Sequence, residues 1–140
     1  MMQQVSVNNL AVLAAAIASM IIGFIWYGPL FGKMWMRMMG FDKKKMNEAK
    51  KKGMGKTYFL AFLTSLIMSY VLAHFVAYMQ ASTIADAAVL GFWLWIGFFA
   101  TTQLGMVIWE GKPVKLYILN TLHYLVTLVV MSGILAVWPY

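Results

Sequence analysis

Three side chains in the second half of the chain carry the most chemistry: Gln103, Asn120 and His123. Each can donate and accept hydrogen bonds, and His123 can also move a proton or hold a metal. Asn120 and His123 are three apart, so on a helix they face the same way. Ser19, Ser65, Thr101, Thr102 and Thr121 add hydroxyls. Nothing near them completes a catalytic set. There is no cysteine, which removes thiol chemistry, disulfides and Cys-based metal sites. No nucleophile–base pair, phosphate loop or dinucleotide fingerprint is visible. Gly53-Met54-Gly55-Lys56-Thr57 looks like the end of a phosphate loop, but the earlier glycine and the preceding strand are missing. What these residues can do is hydrogen-bond, either to one another or to a polar ligand.

They sit in segments too apolar for water. Of 140 residues, 63% are hydrophobic and 11% charged, against roughly 45–50% and 25% in a soluble domain. A membrane helix needs roughly 20 apolar residues. Four stretches satisfy this, at about residues 7–27, 57–79, 84–109 and 114–138. None is expected to contain an internal proline: Pro29, Pro113 and Pro139 fall at or beyond helix ends. The first stretch has no basic leader, and no small-x-small cleavage site is followed by a soluble mature domain, so it is expected to remain as a span. The expected fold is all-α, a four-helix transmembrane bundle forming one integral membrane domain over residues 1–140.

Charge orients the bundle. Nine of the eleven Lys and Arg lie between Lys33 and Lys56, and the other two are Lys112 and Lys115. Four spans place both basic loops on one side. The positive-inside rule makes that side cytoplasmic and puts both termini outside. Basic residues beside apolar spans point to anionic lipid headgroups rather than nucleic acid. Trp26, Tyr27, Tyr58 and Trp109 fit as aromatic anchors at the inner interface, and Tyr78, Trp93, Trp138 and Tyr140 at the outer one. The loop over 28–56 carries Phe31, Met34, Trp35, Met38 and Met39 at helical spacing, which predicts an amphipathic helix in the headgroup plane. Gly40 is expected to break it. Asp42 can cap a second helix, with Phe41 and Met46 placed as a hydrophobic staple, and Gly53 can end it.

At 1.5 Å per residue, Ser19, Ser65, Thr101, Thr102, Gln103, Asn120, Thr121 and His123 all fall roughly 9–14 Å from the inner interface. Four helices thus bring their polar groups to one layer. Two readings stay open: interhelical hydrogen bonds of about 0.6 kcal/mol each, or the lining of a hydrated cavity that holds a ligand or passes a solute. The layer has no carboxylate or lysine, which disfavours a proton-coupled exporter. Glu110 stands at the mouth of the layer beside Lys112 and Lys115, either as a surface ion pair or as a gate or headgroup contact. His74 and His123 are about 11 Å apart in depth, so one haem iron cannot easily join them in a single chain. No metal or cofactor is expected.

Packing is expected to follow small residues, which let helices approach closely in lipid. Ala11, Ala15, Ser19 and Gly23 are four apart, as are Ala61, Ser65, Ser69, Ala73 and Ala77, and Gly97, Thr101 and Gly105. A repeat is also suggested. Ile25-Trp26-Tyr27-Gly28-Pro29 matches Ile108-Trp109-Glu110-Gly111-Lys112-Pro113, which would make two parallel helix hairpins. Shared helix-end chemistry is the other explanation.

Trp26-Tyr27-Gly28-Pro29-Leu30-Phe31-Gly32-Lys33-Met34-Trp35, Gly91-Phe92-Trp93-Leu94-Trp95-Ile96-Gly97-Phe98 and Trp109-Glu110-Gly111-Lys112-Pro113 resemble a bacterial family of small membrane proteins catalogued only as a domain of unknown function. The resemblance covers nearly the whole chain, Asn120 and Trp138 included. It implies a four-helix protein that keeps its first span, and it brings no activity to carry over. The expected function is therefore a non-enzymatic homo-oligomer in a bacterial inner membrane, binding or passing a small polar solute or lipid headgroup. An accessory subunit of a larger membrane complex is the alternative, and a membrane-embedded lipid-modifying enzyme a more distant one.

Overall fold

The computed structural model describes residues 4–139, so the anchor expected at Tyr140 lies outside the described residues. Six helices are described: α1 Asn9–Leu30, α2 Gly32–Met39, α3 Lys43–Lys52, α4 Gly55–Tyr78, α5 Ile84–Ile108 and α6 Val114–Val137. Four of them, α1, α4, α5 and α6, are long and apolar enough to cross a membrane. The all-α bundle expected from the sequence is present.

Local chemistry sets the helix starts. The Asn8 side chain accepts from the Ala11 amide at 3.1 Å, and Asp42 from the Lys45 amide at 2.8 Å. Thr83 accepts from the Asp86 amide at 3.0 Å, while the Asp86 carboxylate takes the Ser82 amide at 3.2 Å. Gly40 ends α2 at φ 75°, a left-handed conformation that a Cβ would penalise. Phe41 packs its ring on Trp35, 5.5 Å between centroids.

α6 is the hub, packing on α5, α1 and α4, while α1 also packs on α4. Neighbouring spans run antiparallel. Val12, early in α1, meets Ser69, late in α4, and Phe24 meets Tyr58 at the other end. Gly91 and Ala100 of α5 meet Val129 and Tyr117 of α6. One end of the bundle therefore holds the described termini and the α4–α5 turn (the terminal end), and the other holds α2, α3 and the α5–α6 turn (the loop end). The core lies toward the terminal end, where Ala11, Ala15, Leu72, Ala73, Leu128 and Met131 interlock. α4 and α5 face each other across an apolar groove of about 310 Å³.

Three sequence expectations are corrected. α1 runs on to Leu30, and Pro29 lies inside its last turn. That turn, Trp26–Leu30, is π-helical, with the Phe31 amide bonding to the Trp26 carbonyl at 2.9 Å. A wider turn relieves the crowding of a proline ring against the carbonyl four residues back. α5 is not one regular helix either: it widens to a π turn over Trp95–Phe99 and slackens at Leu104. Finally, Trp26 and Trp109, which the suggested repeat aligns, do not make equivalent contacts. Trp26 and Trp95 each open a π turn and each donate the indole N–H to α6, to Leu119 O at 3.2 Å and Thr121 O at 2.7 Å. Trp109 is 86% exposed and makes no such contact.

Candidate functional site

The π turn of α1 decides what faces α6 at the loop end. An extra residue per turn rotates the helix face and delivers two adjacent side chains, Trp26 and Tyr27, to the same neighbour. Tyr27 donates its hydroxyl to Asn120 Oδ1 at 2.7 Å. Its ring stands 5.0 Å from that of His123, and the Trp26 ring 5.9 Å from His123. Tyr124 closes the other side of His123 at 5.1 Å. α2 and the residue before it fasten the turn from outside: Phe31 rests on Trp26 at 4.8 Å and Trp35 on Tyr27 at 5.6 Å. Residue 32 has to be glycine for α2 to fold back so tightly, since a Cβ there would lie 2.6 Å from Tyr27 O.

Two cavities meet at this aromatic cluster. The first, about 490 Å³, lies among α1, α2, α5 and α6. Gln103, Asn120, Glu110 and Lys112 supply its polar groups, and Trp35, Met39, Met106 and Leu116 its apolar ones. The second, about 370 Å³, lies among α1, α4 and α6 and is lined by Ser19, Gly23, Thr64, Ser65, His123 and Thr127 along with apolar neighbours. Tyr27 and Tyr124 line both. The polar layer that the sequence suggested is thus divided by two tyrosines.

The expected site residues fall into three groups. Gln103, Asn120 and Glu110 come together in the first cavity, and Ser19, Ser65 and His123 in the second. Thr101 and Thr102 instead return their hydroxyls to their own helix. Thr101 bonds Gly97 O at 2.7 Å and Thr102 bonds Phe98 O. Ser19, although it lines a cavity, likewise bonds Ala16 O at 2.9 Å. The two threonines thereby satisfy carbonyls within the π turn of α5, where lipid offers no replacement. Thr121 carries a buried hydroxyl with no partner, and its carbonyl takes the Trp95 indole.

His123 is also incompletely satisfied. The Thr127 hydroxyl donates to the His123 carbonyl at 2.8 Å and lies 3.5 Å from its Nε2. Its Nδ1 is buried without a hydrogen-bond partner. A polar atom orphaned in a low-dielectric setting is costly, so it is a place to look for a ligand. His74 belongs elsewhere, on α4, with Nδ1 2.8 Å from Tyr70 O and its ring between Tyr70 and Tyr78. Among the described residues no cluster of three or more His, Asp or Glu could hold a metal.

The family described as a protein of unknown function, DUF1761, matches residues 10–136. The chain belongs to the DUF1761 family. No curated protein and no solved structure matches it. The DUF1761 region runs from the first turn of α1 to the last turn of α6, so it contains every residue lining the two cavities.

Two participants do more than the sequence indicates. Tyr27, expected in the inner-interface motif with Trp26, Trp109 and Glu110 and outside the polar layer, carries the contact that partitions the layer. Tyr124 was not singled out at all. Its signal was present, since it follows Asn120 by four positions on one helix face. Tyr117, three before Asn120, carries the same signal and donates to Ala100 O at 2.7 Å.

The small-residue rows also sort by place. Ala11, Ala15, Ser69 and Ala73 are buried between helices. Gly23 faces His123, with space for a Cβ 3.8 Å from Nε2. On α5 the close approach is made by Gly91, where a Cβ would lie 3.1 Å from Val129 Cα. Gly97 and Thr101 are exposed on the outside of the bundle, and a Cβ on Gly105 would meet only Trp109 of its own segment.

Proposed function

We propose that this DUF1761 protein is a non-enzymatic membrane protein whose first cavity binds or passes a small polar solute or a lipid headgroup. The observation that carries this reading is the convergence of Gln103, Asn120, Glu110 and Lys112 on one 490 Å³ space roofed by α2. Amides at depth with an acid and a base at the rim suit a ligand that has both donors and acceptors. Placed by the positive-inside rule, the cavity opens toward the cytoplasm of a bacterial cell, at the inner membrane, with both termini outside. The lysines of α3 would then rest on anionic headgroups.

Liposomes carrying the protein provide the test. With glycerol, urea, glycine and ethanolamine phosphate as solutes, at least one should cross or bind faster than in protein-free vesicles. That increment should vanish in Asn120→Leu while the helical circular dichroism persists. Equal behaviour with and without protein for every solute, together with no lipid retained through detergent exchange, would end the reading.

A second reading rests on a different observation. Gly97 has nothing within 4 Å of a built Cβ and lies exposed beside Thr101 on α5. A smooth outer face suits another helix, either from a second copy in a homo-oligomer or from a larger complex that this chain assists. Repeated isolation as a lone monomer in mild detergent would count against both.

A further inference from the structure

The second cavity differs from the first in charge. Glu110 and Lys112 line the first, whereas the second is lined only by neutral groups: the hydroxyls of Ser19, Thr64, Ser65, Thr127, Tyr27 and Tyr124, the imidazole of His123 and apolar side chains. Ser19, Thr64 and Thr127 donate to carbonyls of their own helices, which leaves their oxygens as acceptors, with the Ser65 hydroxyl and the imidazole beside them. A charged solute entering would lose water and find no counter-charge, whereas an uncharged one would find these groups. About 370 Å³ is ample for a small polyol or amide.

The wall between the cavities stands in the irregular last turn of α1. Tyr27 lies in that π turn with Trp35 and His123 against its ring, and the Gly28 that follows has nothing within 4 Å of a built Cβ, which leaves open space beside the turn. One hydrogen bond, to Asn120, holds the hydroxyl in place. Behind the ring lies His123 with its buried, unpartnered Nδ1.

We infer that the polar layer is two sites in series, and that the chamber around His123 receives a small uncharged hydroxyl- or amide-bearing solute from the first cavity when Tyr27 swings off Asn120. This rests on the reading of the first cavity as a polar binding space. Rotation of Tyr27 exchanges its bond to Asn120 for an open passage and uncovers His123 Nδ1 as a partner for the incoming group. The first cavity admits ions and neutral solutes alike; the second admits only the neutral ones.

The chain has no cysteine, so single replacements report cleanly. Gln103→Cys reports the first cavity, Ser65→Cys the second, and Ile67→Cys, on the exposed side of α4, reports arrival through lipid. The protein is placed in vesicles of phosphatidylethanolamine and phosphatidylglycerol. The probes are 2-hydroxyethyl methanethiosulfonate, which is uncharged, and its trimethylammonium analogue, which is cationic. Gln103→Cys should react with both, and Ser65→Cys with the uncharged probe alone. Tyr27→Phe should speed the Ser65→Cys reaction about fivefold, the population change expected from losing one hydrogen bond, and leave Gln103→Cys unchanged. Ser65→Cys rates that ignore Tyr27→Phe, that are equal for the two probes, or that equal those of Ile67→Cys would overturn the two-site inference alone. A Gln103→Cys that resists both probes would instead remove the polar cavity on which it rests.

Discussion

At the terminal end Ala11, Ala15 and Ala73 let α1 and α4 close on each other, and Ser69 donates across the seam to Val12 O at 2.7 Å. At the loop end the same two helices part around Phe24, Tyr27 and Tyr58, and a cavity opens between them. Ser65 and Ser69 show the contrast at its sharpest. They are one helical turn apart on the same face of α4, yet Ser69 is sealed in the core and Ser65 lines the second cavity. Polarity does not distinguish the two ends; Ser132 is as buried as Ser69. The size of the facing side chains does. In lipid, helices close where small residues let backbones touch, and space survives where aromatic rings hold them apart.

This comparison can be broken, beginning with the strongest effect. Met131 is completely buried at the dry end, so Met131→Ala should destabilise the bundle by about 2 kcal/mol in denaturant titrations in detergent. A loss near zero would mean the terminal end is not close-packed. Gly91→Ala comes next. Its Cβ would meet backbone atoms of Val129 at 3.1–3.2 Å, and a cost of about 1 kcal/mol is expected. Gly97→Ala, six residues along the same helix with open space around it, should stay within about 0.5 kcal/mol of the parent. Equal effects at the two glycines would erase the distinction between a sealed and an open face of α5.

The serine pair sharpens the contrast further. Ser69→Ala removes one interhelical bond and should cost about 0.6 kcal/mol, whereas Ser65→Ala should cost less, since no bond to another helix is lost. The smallest effect is expected for Gln103→Ala, which faces the first cavity and should leave stability within about 0.5 kcal/mol while altering solute behaviour in vesicles. A large loss of stability there would recast Gln103 as part of the framework that holds α5 to α6.

Much of the architecture could be read along the chain. Runs of apolar residues announced four spans, Asp42 starts a helix through its own side chain, and Gly40 and Gly53 stop helices, because each of these effects acts within a few residues. Candidate site residues were legible as a set but not as an arrangement. Gln103 and His123 belong to one layer by depth, and only packing sends them to different cavities. The threonines next to Gln103 have the same polarity and similar depth, yet they spend their hydroxyls on Gly97 O and Phe98 O beside the π turn. No residue-by-residue count of depth anticipates where a helix widens.

By itself the amino-acid sequence determined the number of apolar spans, the amphipathic helix and the lysine-rich helix between the first and second, and the family, since hydropathy, capping and motif order are properties of neighbours along the chain. The tertiary structure alone decided that Tyr27 divides the polar residues, that Gly91 and not Gly97 touches α6, and that Trp26 and Trp95 both donate to α6. Those outcomes depend on which faces of distant helices meet and on the volumes set between them. A π turn can rotate such a face with no change in composition.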